Sequence, residues 1–187
     1  MKPISNIERV IKKGTITNEL DYDRALIADR KLRLLAKESP HFKTMRSKLR
    51  DIIVQYESSE WNDIDKIDDK KLIESEKSEH IAEQERLFIE NRKQAIRKKM
   101  KEADLTQENL ASILGHKSKT HMSELMNGIK PFTLRDLIII NRLLKIDMDI
   151  LIPRFLSTKD QVEVKENLEK LGKLGVKLSC DDLVLCE

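Results

Sequence analysis

The chain has 187 residues, of which 37% are charged and 4% aromatic, and its 36 Lys and Arg against 33 Asp and Glu leave a formal net charge of +3. An apolar fraction of 39% is enough for a folded core. No apolar run approaches the roughly 20 residues a bilayer span needs, and no secretory h-region opens the chain. Only two cysteines are present, Cys180 and Cys186; this excludes a disulfide framework and leads us to expect a reducing cytoplasm.

The small net charge hides a pattern. Residues 1–56 carry a net +6, residues 57–90 a net −7, residues 91–151 a net +5 and residues 152–187 a net −1. An acidic block between two basic ones implies distinct surfaces for distinct partners.

In chain order, Ile4, Ile7, Val10 and Ile11 share a helical face, and Gly14 ends that helix. Asn18 caps a second helix, with Asp21 three residues on in the capping-box position. Ser39-Pro40 places a cap before a proline at the first helical position. Phe42, Met45, Leu49, Ile52, Ile53 and Tyr56 form the stripe of a third helix. Residues 58–90 read as an acidic helical connector with a solvated face, in which Ile64, Ile67, Leu72, Ile73 and Ile81 are spaced as in a helix. Around Phe88 the charge turns basic, and a helix continues through Ile96 and Met100. After Pro153, Thr158 caps a helix with Val164, Leu168 and Leu171 on one face. Val176, Leu178 and Cys180 then alternate like a short strand.

The expected architecture is all-α: a small N-terminal helical domain (1–57), the connector (58–90), a five-helix unit (91–152) and a C-terminal extension (153–187). In the five-helix unit Thr106 is an N-cap, Leu110, Ala111 and Leu114 face inward, and Gly115 permits the left-handed turn that ends the helix. Ser118 caps the next helix, whose inner face is Met122 and Leu125, and Asn127-Gly128 stops it. Thr133 and Asp147 cap two more. Two short capped helices joined by a tight turn, the second opening on small polar and basic residues, suit the DNA major groove.

The pieces Leu105-Thr106-Gln107-Glu108, Leu110-Ala111, Leu114-Gly115, Ser123 to Gly128 and Asp147-Met148-Asp149-Ile150-Leu151 resemble the Cro/C1, or XRE, family of helix-turn-helix domains over about a third of the chain. His116-Lys117 makes the turn a residue longer than its commonest form. The resemblance implies that Lys119, Thr120 and Glu124 face base edges. Lys119 suits guanine O6/N7, Thr120 a thymine methyl, and Glu124 cytosine N4. His121 and Ser123 are lesser candidates, with Ser118 and Lys117 beside them. Gln107 grips a phosphate, and Asn127, Gly128 and Lys130 offer further backbone contacts. Such domains read two half-sites as dimers. Ile138 to Ile140, Leu143 and Leu144 are more apolar than one inner face needs, so Ile139 and Leu143 are expected at a homodimer interface.

Glu19-Leu20-Asp21-Tyr22-Asp23-Arg24-Ala25-Leu26, the helix end Ile53-Val54-Gln55-Tyr56-Glu57 and the Ser123 to Gly128 run together resemble one branch of HigA-type antitoxins of bacterial toxin–antitoxin pairs. The connector and tail are longer than that pattern. The resemblance implies two partners: operator DNA, whose occupation represses the chain's own operon, and a small basic mRNA-cleaving ribonuclease, which the chain neutralises. The alternative is a stand-alone XRE-family regulator with no toxin partner. No Walker loop, G-x-S-x-G or H-E-x-x-H is present. His41, His80, His116 and His121 are scattered and form no metal constellation with the cysteines, so neither catalysis, metal nor cofactor is expected.

Overall fold

Asn18, Ser39, Thr106, Ser118 and Thr133 each turn their side chain onto a backbone N–H two or three residues ahead, and each opens a helix. The computed structural model describes residues 7–62, 67–153, 156 and 158–171. Within them it is helical: α1 (Ile7–Lys13), α2 (Glu19–Leu35), α3 (Pro40–Glu60), α4 (Asp69–Glu102), α5 (Gln107–Leu114), α6 (Lys119–Met126), α7 (Leu134–Leu144), α8 (Met148–Leu151) and α9 (Thr158–Lys170). One expected cap is absent, since Asp147 makes no side-chain hydrogen bond at the start of α8. Ile4, Ile64 and the strand expected from Val176 to Cys180 lie outside the described residues.

Helices α1 to α3 pack into a bundle. Ala25 and Ala28 on α2 are buried and small, which lets α2 approach its neighbours closely, while Leu32, Phe42 and Leu49 fill the space between. Each such large side chain contributes about 1.5–3 kcal/mol on burial. The two motif pieces quoted above meet here as a reciprocal pair. The Tyr56 hydroxyl donates to Glu19 Oε1 at 2.9 Å and the Tyr22 hydroxyl to Glu57 Oε1 at 2.8 Å. The two rings lie 5.1 Å apart. Burial, with the neighbouring carboxylates, pushes both phenols far above their ordinary range. The motif is thus a structural clasp between α2 and α3.

Helix α4 runs unbroken through the expected boundary near residue 90. Its first half docks on α2, where Arg24 makes a bidentate pair with Glu85 at 2.8 and 2.5 Å. Its second half supplies Ile96 and Met100 to a separate core, completed by Leu110, Leu114, Met122, Leu125, Leu137, Ile140 and Leu151. Residues 69–90 of the acidic connector are therefore part of one helical rod that both units share. Arg92 anchors the rod: it is 6% exposed, lies 5.2 Å from the Phe88 ring and 5.3 Å from the Phe132 ring, and donates to the Leu151 carbonyl. Desolvation lowers its pKa to about 10.

The two cores meet at the turn after α6. Gly128 has φ +71° and sits against Ile89. Ile129 is 1% exposed and belongs to the N-terminal bundle's core, not to that of its own unit.

Candidate nucleic-acid interface

Two elements present the candidate residues. Thr106 and Asn109 form a reciprocal capping box at the start of α5. Gly115, at φ +83°, ends the helix, and the His116 N–H returns to the Ala111 carbonyl at 2.8 Å. The Ser118 hydroxyl then accepts from the His121 N–H at 3.2 Å, which aims α6. Met122 and Leu125 point into the core, as their spacing predicts.

The outward residues divide into two groups. Lys117, Ser118 and Lys119 are exposed, and Gln107, Thr120 and His121 are half-buried. Lys119 reaches across to α5, with its Nζ 2.8 Å from Glu108 Oε1. Each of that pair favours the other's charge, so Lys119 is shifted up and Glu108 down. Both side chains are well exposed, so the pair exchanges readily for water or for a phosphate.

The second group is covered. Glu124 is 2% exposed and Ser123 is 8% exposed. The Glu124 carboxylate meets Lys130 Nζ at 2.9 Å, His41 Nε2 at 2.8 Å and His121 Nδ1 at 3.4 Å. Burial alone would raise its pKa, but the hydrogen bonds from Lys130 and His41 outweigh this and leave it below the usual range. Lys130 spans from Glu124 to Glu8 Oε1 on α1, 3.0 Å away. Lys31 Nζ lies 3.3 Å from the Asn127 carbonyl, and Lys93 Nζ donates to Asn127 Oδ1 at 2.9 Å. Burial is the main reason that the Lys31 pKa falls to about 8, with Lys93, Arg86 and Arg92 crowding it further. Residues expected to touch bases and phosphates thus sit, in this arrangement, against α1, α2, α3 and α4.

A groove of about 1070 Å³ separates the C-terminal half of α2 from α5 and α6, lined by Arg30 and Arg33 of α2, Arg97 of α4, Gln107 of α5 and Lys119 of α6. The partners contributed by the first half of the chain, Glu8, Lys31 and His41, carry no sequence signal of this role. They come to α6 only through the docking of the bundle. On the opposite side of the unit, Ile139 is half-buried against the core, whereas Leu143 is 41%, Ile138 38% and Leu134 61% exposed.

No group of three or more His, Cys, Asp or Glu able to hold a metal occurs among the described residues. Among them, too, no helix is long and apolar enough to cross a membrane. Residues 96–151 match the family model described as Helix-turn-helix. No curated protein and no solved structure matches the chain. The segment from the end of α4 to α8 is a helix-turn-helix domain of the XRE type, a DNA-binding fold of transcriptional regulators.

Proposed function

We propose that the chain is a sequence-specific DNA-binding regulator that reads its operator with the first turn of α6. The observation that carries this is the exposed, capped run Lys117-Ser118-Lys119 with Gln107 beside it, held on the paired helices α5 and α6. Recognition helices of this type meet base edges with their N-terminal residues. Lys119 leaves Glu108 for guanine O6/N7, Thr120 meets the adjacent base edge, and Gln107 and Lys117 hold phosphates. His121, Ser123, Glu124, Asn127 and Lys130 belong to the same surface when it is uncovered. Two copies, joined through Ile139, Leu143 and the exposed Leu134 and Ile138, would set two such turns about 34 Å apart.

The test is Lys119→Ala in a fluorescence-anisotropy titration against the duplex that the wild-type chain selects from a randomised library. One lost bidentate base contact corresponds to about 1–3 kcal/mol of discrimination, or roughly 5- to 150-fold. Binding to unrelated duplex should fall much less. An equal loss on both duplexes would remove Lys119 from base reading.

The narrower reading is an antitoxin that also represses its own operon. One observation favours a second protein partner: the start of α4 carries exposed Leu72 (46%) and Ile73 (51%) among exposed Asp68, Asp69, Glu74, Glu76 and Glu79. An apolar pair in a stretch where five carboxylates outnumber Lys70, Lys71 and Lys77 suits a small basic protein, such as a ribonuclease, and steers its approach. Co-purification of a stoichiometric basic protein with the tagged chain from its host supports this reading. Recovery of the chain alone, as a dimer, supports a stand-alone regulator.

A further inference from the structure

The recognition helix is covered on a side that a DNA reader keeps open. Residues 122–126 of α6 are all buried, although only Met122, Leu125 and Met126 belong to the core beneath them. Part of the cover over Glu124 comes from the first half of the chain. His41, at the start of α3, caps Glu124, and Glu8 of α1 holds Lys130. Lys31 of α2 reaches Asn127 at the end of α6, while Glu38, just past the end of α2, lies close enough to Lys119 to act on its charge. The C-terminal half of α2 therefore faces α6 across the groove, with Lys31 bridging to Asn127. A B-DNA major groove, about 12 Å wide and about 8.5 Å deep, admits a single helix. With His41 on Glu124, Lys31 on Asn127 and Glu8 on Lys130, the second turn of α6 and the turn after it are engaged, and the first turn is left open.

The chemistry of the contact differs from that of the two cores. Apart from Ile129 in the bundle core and Gly128 against Ile89, the bundle meets this face through ion pairs and hydrogen bonds: Glu124 with His41, Lys130 with Glu8, and Asn127 with Lys31. Groups of this kind regain water or phosphate partners when they separate, which is how interfaces that open differ from those that do not.

We propose that the α1–α3 bundle and DNA compete for the same face of α6, so that the arrangement described here is a closed, self-masked form of the reader. The proposal rests on the reading of α6 as the DNA-reading helix. Full operator engagement requires the bundle to leave Glu124, Asn127 and Lys130. Closure then lowers apparent affinity by the fraction of molecules that are open. Any partner that holds the bundle away raises DNA affinity, and any that clamps it lowers it.

His41→Glu tests this in the full chain. The new carboxylate faces Glu124 in the closed form, yet at the second position of α3 it suits the helix N-terminus, so the bundle itself is not weakened. Added negative charge would ordinarily weaken DNA binding, so tightening has to come from opening. We expect the variant to bind the library-selected duplex about tenfold more tightly, equivalent to about 1.4 kcal/mol. His41→Ala, which removes the contact to Glu124 without adding a carboxylate, should tighten binding about threefold and serves if the Glu variant does not fold. Affinity equal to or weaker than wild type in both folded variants overturns the closure and leaves the DNA reading intact. If neither the wild-type chain nor either variant selects any duplex, the DNA reading falls and the closure with it.

Discussion

Substituting alanine at two glycines separates backbone strain from packing at the junction of the two cores. Gly115 and Gly128 both hold positive φ, +83° and +71°, so alanine at either meets the same left-handed penalty. That penalty is about 1–2 kcal/mol. Beyond it the sites differ. A Cβ on Gly115 meets no atom within 4 Å, whereas one on Gly128 falls 2.7 Å from Ile89 Cγ2 and 2.8 Å from its Cδ1. Ile89 is 6% exposed and lies on the continuous α4, so it has little room to yield. Overpacking of this kind costs about 1–3 kcal/mol, so Gly128→Ala should cost about 2–5 kcal/mol in all and Gly115→Ala about 1–2. Urea unfolding followed by circular dichroism reads both costs as shifts in midpoint at constant slope. In a double-mutant cycle with Ile89→Ala, the Gly128→Ala cost should shrink by about 1–3 kcal/mol, and the Gly115→Ala cost should not change. Equal costs at the two glycines, with no coupling to Ile89, would refute the account of how the turn after α6 is held.

Two further predictions concern the bundle. Glu85→Ala leaves Arg24, whose side chain is only 18% exposed, with Asp21 as its remaining carboxylate partner and should destabilise the protein by about 2 kcal/mol in urea unfolding; a loss below about 1 kcal/mol would show that Asp21 and water replace the lost carboxylate. Asp23 should make stability fall as pH rises. Burial first, and then Glu19 and Glu79, raise its pKa from 3.8 to about 6, and its Oδ2 is buried without a hydrogen-bond partner. The folded state thus holds the proton more tightly than the unfolded chain, so Asp23 disfavours folding progressively from about pH 4 to about pH 6. Asp23→Asn should therefore raise the unfolding midpoint at pH 7 and have little effect at pH 4; an equal effect at both values would remove the carboxylate's charge as the cause.

Much of the fold was legible in the sequence because it is local. Caps, apolar periodicity and the glycine after α5 are properties of a few consecutive residues, and they place α2, α3, α5, α6 and α7 correctly. The cap expected of Asp147 is the exception, and α8 forms without it because Leu151 is fully buried and holds the turn from below. The acidic composition of residues 58–90 suggested a connector. Yet composition does not show that α4 continues through it, because a helix that gains partners on two cores needs no break between them.

The outward positions of α6 could be named from the sequence, since Ser118 and Asn127-Gly128 fix where the helix starts and stops and its period fixes which residues face away from Met122 and Leu125. Their surroundings could not. Lys130 and His121 are near neighbours of Glu124, but the His41 that closes its cage is 83 positions away in the chain, and Lys31 is 96 positions from Asn127. Sequence determined the helices and the face each one turns outward, because hydrogen bonding and periodicity act over one or two turns. Only the tertiary structure decided that the N-terminal bundle lies against the end of α6, because that placement follows from the summed fit of Ile129 in the bundle core, Gly128 against Ile89 and Arg24 on Glu85, none of which has a local signature.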